Sequence, residues 1–213
     1  MNPKTIDHVA FWVADRDAAV KELLGSLDIH QIDRQENFTL LGADARRFKL
    51  TLFDADGPRE PGAFLHVALR VRRIPDGVPQ TFDAGEGLRI VLVEGETERD
   101  YDLDHVALRT PDPRATAAEY ERYGFKPAGP RRVEVAGAYV EFHPGEAGRC
   151  ERPLLNHLAV LVDSADDAVA DAEELGIEVE SVVDAANTYA AFLTGPDGVR
   201  IEYVEHKPTF ALR

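Results

Sequence analysis

Four times along this chain of 213 residues a histidine interrupts an apolar, strand-like run, each time in the same setting. The runs are Ile6-Asp-His8-Val-Ala-Phe, Phe64-Leu-His66-Val-Ala-Leu, Leu103-Asp-His105-Val-Ala-Leu and Leu155-Asn-His157-Leu-Ala-Val. A buried strand is filled with Val, Leu and Ile, and an imidazole there needs a polar partner. One such residue passes as structural; four in register define a repeat, and a repeat constrains the fold before any single element does.

Each run opens a unit built on a common plan. After His8, Asp15 or Asp17 can cap a helix that Gly25 can end, and alternating stretches at Ile29–Ile32, Phe38–Leu41 and Phe48–Phe53 read as strands. After His66 the helix is poor, because Pro75, Gly77 and Pro79 interrupt it, and a strand closes the unit over 87–93. After His105, Thr110-Pro-Asp-Pro113 starts a helix over 114–123, followed by strands at 132–135 and 138–142. After His157 come a helix over 165–175 and strands at 189–194 and 198–204, with a hairpin turn expected at Asp197-Gly198. The chain therefore reads as α+β, four βαβββ modules. One module cannot bury a sheet face alone, so the modules must pair. The polar stretch Thr97–Tyr101 suggests two halves, residues 1–97 and 102–206, each a pair of consecutive modules curved around a cleft.

The candidate chemistry is a metal site. Glu202, in Gly198-Val-Arg-Ile-Glu202, stands where Val91 stands in Gly87-Leu-Arg-Ile-Val91, and a buried carboxylate calls for a cation. With consecutive modules paired, only the C-terminal half keeps a carboxylate. His105, His157 and Glu202 are then the expected ligands, two imidazoles and one carboxylate with positions left open. Glu141, in Gly137-Ala-Tyr-Val-Glu141, repeats the placement of Glu202 and is a candidate fourth donor. His30, His206, Arg131 and Arg132 are read as surface residues, Phe11 and Trp12 as core, and Cys150 as inert.

With these residues in hand, the chain resembles the vicinal oxygen chelate superfamily, which includes glyoxalases, bleomycin resistance proteins and type I extradiol dioxygenases. Asp104-His105-Val-Ala-Leu, Leu155-Asn-His157-Leu and Gly195-Pro-Asp-Gly198-Val-Arg-Ile-Glu202 carry the resemblance, which spans nearly the whole chain. It implies paired modules forming incomplete barrels, and a divalent metal chelating the vicinal oxygens of a small substrate. The four-module form resembles extradiol dioxygenases and implies Fe(II) or Mn(II). A two-His two-Glu site would instead imply a glyoxalase-type isomerase or lyase with Zn(II) or Ni(II). A metal-free, bleomycin-resistance-like binding protein is the third alternative, and the intact ligands count against it. Two positions depart from the extradiol pattern: Ala136 stands where that pattern has a catalytic His, with nearby His143 the candidate acid or base in its place, and Phe192 stands where it has a Tyr; the glyoxalase pattern implies Glu141 as the base.

Composition limits the partners. A formal charge of −15 argues against nucleic acid and anionic membranes. The single cysteine, and an N-terminus with no apolar stretch after Lys4, lead to the expectation of a cytoplasmic protein, monomer or homodimer.

Overall fold

The computed structural model describes residues 1–43, 48–98, 100–146 and 150–210. The first module is β1 (Thr5–Val13), α1 (Arg16–Ser26), β2 (His30–Arg34), β3 (Phe38–Gly42) and β4 (Lys49–Asp54). The second is β5 (Phe64–Val71), β6 (Thr81–Asp83) and β7 (Arg89–Glu94), with no helix between β5 and β6. The third is β8 (Asp102–Thr110), α2 (Pro113–Tyr120), β9 (Lys126–Gly129), β10 (Arg132–Val135) and β11 (Ala138–Pro144). The fourth is β12 (Leu155–Leu161), α3 (Ala165–Glu174), β13 (Val179–Asp184), β14 (Thr188–Thr194) and β15 (Arg200–His206).

Local chemistry sets the ends of the helices. Asp15 accepts from the Ala18 amide at 2.9 Å, Asp112 caps α2 ahead of Pro113, and Ser164 accepts from Asp167. Gly25 lies inside α1 rather than ending it; the helix runs one residue further and Leu27 leaves it in extended conformation. The expected 114–123 helix is α2 followed by a 3-10 turn, Glu121–Tyr123. It stops at Gly124, whose φ of 83° favours a residue without a side chain. The hairpin turn expected at Asp197-Gly198 joins the antiparallel β14 and β15, through a 3-10 turn over Pro196–Gly198 with Asp197 at φ 54°.

In each module the first and last strands run parallel, β1 with β4, β5 with β7, β8 with β11 and β12 with β15. The modules do not join in the expected order. One sheet of 8 strands runs β13-β14-β15-β12-β1-β4-β3-β2, so the fourth module pairs with the first. The other, of 7 strands, runs β6-β7-β5-β8-β11-β10-β9, the second module paired with the third. The division into halves 1–97 and 102–206 is therefore not how the sheets form: one sheet nests within the chain of the other. All four modules carry the same joining edge, so nothing local dictates which edges meet.

At each joint the strands are antiparallel, and the register accounts for the shared His-x-Ala pattern. His8 lies opposite Ala159 and Ala10 opposite His157; likewise His66 faces Ala107 and Ala68 faces His105. Each alanine leaves room for the imidazole across from it, so two rings can meet over the joint. Residues of the opposite strand face, including Val9, Phe11, Leu158, Val160, Ile201 and Tyr203, enter one continuous core that spans both sheets and all three helices. Phe11 and Phe64 meet edge to face with centroids 5.0 Å apart, joining the sheets.

Candidate metal centre

The 1–4 joint brings three donors together. His8 Nε2 and His157 Nε2 are 2.9 Å apart, and Glu202 Oε2 lies 3.1 Å from the first and 3.0 Å from the second. Glu202 reaches them because β15 places it beside Ala159. His157 is 3% exposed and Glu202 7%, so the cluster is buried.

His105, expected to share a site with His157, lies in the other sheet on β8. Its Nε2 is 3.0 Å from His66 Nε2. His8 takes the place assigned to it. Glu141 lies in that second sheet too, at 3.9 Å from His105 Nε2, with His143 3.7 Å from Glu141. Neither is brought to Glu202, and no two-His two-Glu set forms among the described residues. Ala136 is in the β10–β11 turn at φ 51°, also in the second sheet. Its comparison with a catalytic histidine beside Glu202 therefore does not apply. Phe192 does reach the site: it pairs with Glu202 across β14–β15 and meets the His157 ring edge-on at 5.3 Å.

Hydrogen bonds behind the cluster fix the tautomers. His157 Nδ1–H donates to Asn156 Oδ1 at 3.0 Å, leaving the Nε2 lone pair inward; Arg200 donates to the same oxygen. His8 Nδ1–H donates to Asp7 Oδ2 at 2.8 Å, while Asp7 Oδ1 accepts from Lys49 at 2.8 Å and has His206 Nε2 at 3.1 Å. Burial opposes ionisation of Asp7, but His206, His8 and Lys49 together hold its carboxyl far below the usual range. Burial also opposes charge on His8, yet Glu202 and Asp7 outweigh it and raise the His8 pKa to about 9. For Glu202, burial is likewise outweighed by His157 and His8, and its pKa is lowered well below the carboxylate norm. His157 is pushed down by burial and stays neutral. The metal-free cluster is thus an imidazolium, a neutral imidazole and a carboxylate around one shared proton.

A divalent cation suits this donor set. Glu202 Oε2 is buried yet makes no hydrogen bond of good geometry to either ring, as expected of an oxygen set to coordinate rather than to accept. Loss of the one proton on His8 Nε2 would turn three donor atoms toward one point. Thr51, beside Ala10 as Glu202 is beside Ala159, occupies the remaining quasi-equivalent position; its buried hydroxyl also has no hydrogen-bond partner.

The cluster forms the floor of a cavity of about 470 Å³, whose walls include Phe38, Phe53, Phe192 and Phe210, with Lys49 and His206. Phe210 stacks on His206 at 3.7 Å. A larger cleft of about 770 Å³ is lined by Glu60, Cys150 and Asp197 among others, but by no histidine. Sequence reasoning missed His8, Asp7, Lys49 and His206. The available signal was Lys49, a lysine in the middle of the apolar run Phe48–Phe53, which required a buried counter-charge.

Residues 5–203 match the family model described as the Glyoxalase/Bleomycin resistance protein/Dioxygenase superfamily. The chain belongs to that superfamily. No curated protein sequence matches it. Among solved structures it is similar to a putative dioxygenase from Bacillus subtilis, at 16% identity and TM-score 0.74, covering 99% of this chain and 87% of that one. It is also similar to a V278E mutant of glyoxalase I from Zea mays, at 17% identity and TM-score 0.71, covering 94% and 92%. The cppA protein of Streptococcus pneumoniae aligns over 96% of this chain and 100% of its own, at 13% identity and TM-score 0.66. At these identities the likeness is one of fold. Among the described residues no helix is long and apolar enough to cross a membrane.

Proposed function

We propose that the protein is a metal-dependent enzyme whose ligands are His8, His157 and Glu202 and whose substrate is a small molecule with two vicinal oxygens. The observation that carries this reading is the buried Glu202 Oε2, about equidistant from two inward-facing imidazole nitrogens. Two imidazoles and one carboxylate with open positions suit Fe(II) or Mn(II). The quasi-equivalent fourth position holds Thr51 rather than a second acid, which favours extradiol-like ring-cleaving chemistry over a two-Glu isomerase. The metal would act as a Lewis acid toward the substrate oxygens.

The chain's own residues supply the rest. Phe38, Phe53 and Phe192 give flat apolar walls for a planar substrate body and keep bulk water from the floor. Asp7 and Asn156 hold the two imidazoles in the tautomers that face inward. His206 lines the same cavity with its Nε2 held beside Asp7, and its other ring nitrogen is the candidate we assign to exchange a proton with a bound hydroxyl. It serves where the expected His143 does not reach.

The test is anaerobic reconstitution with Fe(II) or Mn(II), followed by oxygen uptake with a panel of catechols. Wild type is expected to bind metal and consume oxygen, while His8→Ala and Glu202→Ala lose both and His105→Ala retains both. Loss of activity in His105→Ala together with retention in His8→Ala would refute the assignment. Metal binding without catechol turnover would leave the ligands standing and remove ring cleavage.

A further inference from the structure

Two threonines of the first module, Thr39 and Thr51, bury their hydroxyls without a hydrogen-bond partner among the described residues. Desolvating a hydroxyl that gains no partner costs stability, so each calls for a reason. They lie on opposite faces of the sheet. Phe38 and Leu40 line the cavity above the triad, so Thr39 between them points away from it, whereas Thr51 lines it. The register fixes where Thr51 sits. Ala10 lies opposite His157 across the β1–β12 joint and beside Thr51 on β4. Ala159 lies opposite His8 and beside Glu202 on β15. Thr51 is thus related to His157 as Glu202 is to His8. Its cross-strand neighbours, Ala10 and Leu40, have apolar side chains and offer its hydroxyl nothing. In the other sheet the same place, beside Ala68 and across it from His105, is taken by Val91. The fold can therefore build this position without a hydroxyl.

From this placement we infer that Thr51 is a specificity-determining residue of the site, whose hydroxyl donates a hydrogen bond to one of the two vicinal oxygens of the substrate. The inference rests on the vicinal-oxygen reading given above. An unpartnered hydroxyl alone would not carry it, as Thr39 shows; the position of Thr51 on the cavity floor, as counterpart of Glu202, does. The surrounding groups leave the role of donor to it. Glu202 and His157 Nε2 present lone pairs inward, and the Asp7 carboxylate is taken up by Lys49, His8 and His206. A threonine hydroxyl is a small, uncharged donor that turns to meet its acceptor. It favours whichever substrate oxygen carries negative charge, because a hydrogen bond to an ionised acceptor is roughly twice as strong as a neutral one. The second sheet, with Val91 in this place, has no such donor there.

The test is anaerobic spectrophotometric titration of the Mn(II)-loaded full chain with 4-nitrocatechol, whose colour reports the ionisation of its hydroxyls. Chelator competition for the metal and urea unfolding of the metal-free chain accompany it. Thr51→Val should weaken 4-nitrocatechol binding about tenfold or more, the scale of a hydrogen bond to a charged oxygen. It should hold the metal as wild type does, and its urea midpoint should match or exceed that of wild type, because an unsatisfied buried hydroxyl is gone. Thr51→Ser should restore most of the binding. Thr39→Val, which removes a buried hydroxyl away from the cavity, should leave binding unchanged. Binding by Thr51→Val equal to that of wild type would overturn the inference and leave the metal ligands standing. So would a weakening matched by Thr39→Val or by loss of metal, which would make the effect one of packing. A wild type that holds Mn(II) but binds no 4-nitrocatechol would overturn the vicinal-oxygen reading, and this inference with it. Should Thr51→Val fail to fold, Thr51→Ala against Thr51→Ser makes the same comparison.

Discussion

The proton shared by the metal-free triad has a measurable effect on stability. Burial disfavours charge on His8, yet Glu202 and Asp7 raise its pKa from 6.5 to about 9. At about 1.4 kcal/mol per pH unit, that is worth about 3 kcal/mol of folding free energy. Because the folded pKa lies above the unfolded one, this contribution is fully present below pH 6.5 and is lost as the pH rises through about 9. Asp7 and Glu202 are ionised throughout that window, and His157, lowered by burial, opposes the trend only near pH 6.5, where the unfolded imidazole still binds protons. Urea unfolding with EDTA present, at pH 6.5 and pH 9, should show the metal-free protein losing about 3 kcal/mol. Glu202→Gln removes the largest attraction on the His8 proton but leaves Asp7, so it should cut the loss by about half. A stability unchanged across this window in wild type would mean that His8 is not held between two carboxylates, and the geometry of the site would be wrong.

The same contacts lead to further expected outcomes. Asp7→Asn should weaken metal binding at the triad by about 10- to 100-fold, as judged by competition with a chelator, since it replaces the carboxylate that orients His8 and raises its basicity with a neutral amide. Metal binding at neutral pH should release close to one proton from His8, visible as a dependence of the calorimetric heat on buffer ionisation enthalpy. Gly195→Ala places a methyl group against the Val199 carbonyl and Ile201 in the turn that leads into β15, and should destabilise the fold by roughly 1–3 kcal/mol in urea unfolding. Tyr203→Phe removes a buried 2.6 Å hydrogen bond to the Tyr123 carbonyl and should cost about 1 kcal/mol in the same assay.

Much of the architecture was legible locally. The four histidine-bearing strands, the cap at Asp15, and the missing helix after β5 all arise from short-range chemistry, as does the equivalence of Val91, Glu141 and Glu202. Which modules join was not legible, because that is a contact between β1 and β12, some 150 residues apart, and all four joining edges look alike. Pairing consecutive modules placed both carboxylates in one half. With the actual pairing each sheet receives two histidines and one glutamate, and the asymmetry disappears. His157 and Glu202 were found because both lie in one module. His105 was exchanged for His8 because the partner module was misassigned. The sequence did contain a discriminating pair: Lys49 buried within β4 requires Asp7, and Asp7 fixes His8.

Everything proposed for the buried site depends on His8, rather than His105, completing the triad with His157 and Glu202. Anomalous scattering from a crystal of the metal-loaded protein decides between them. A peak is expected at the 1–4 joint, about 2.0–2.2 Å from His8 Nε2, His157 Nε2 and Glu202 Oε2. A fully loaded crystal with no peak between those three residues would contradict the assignment.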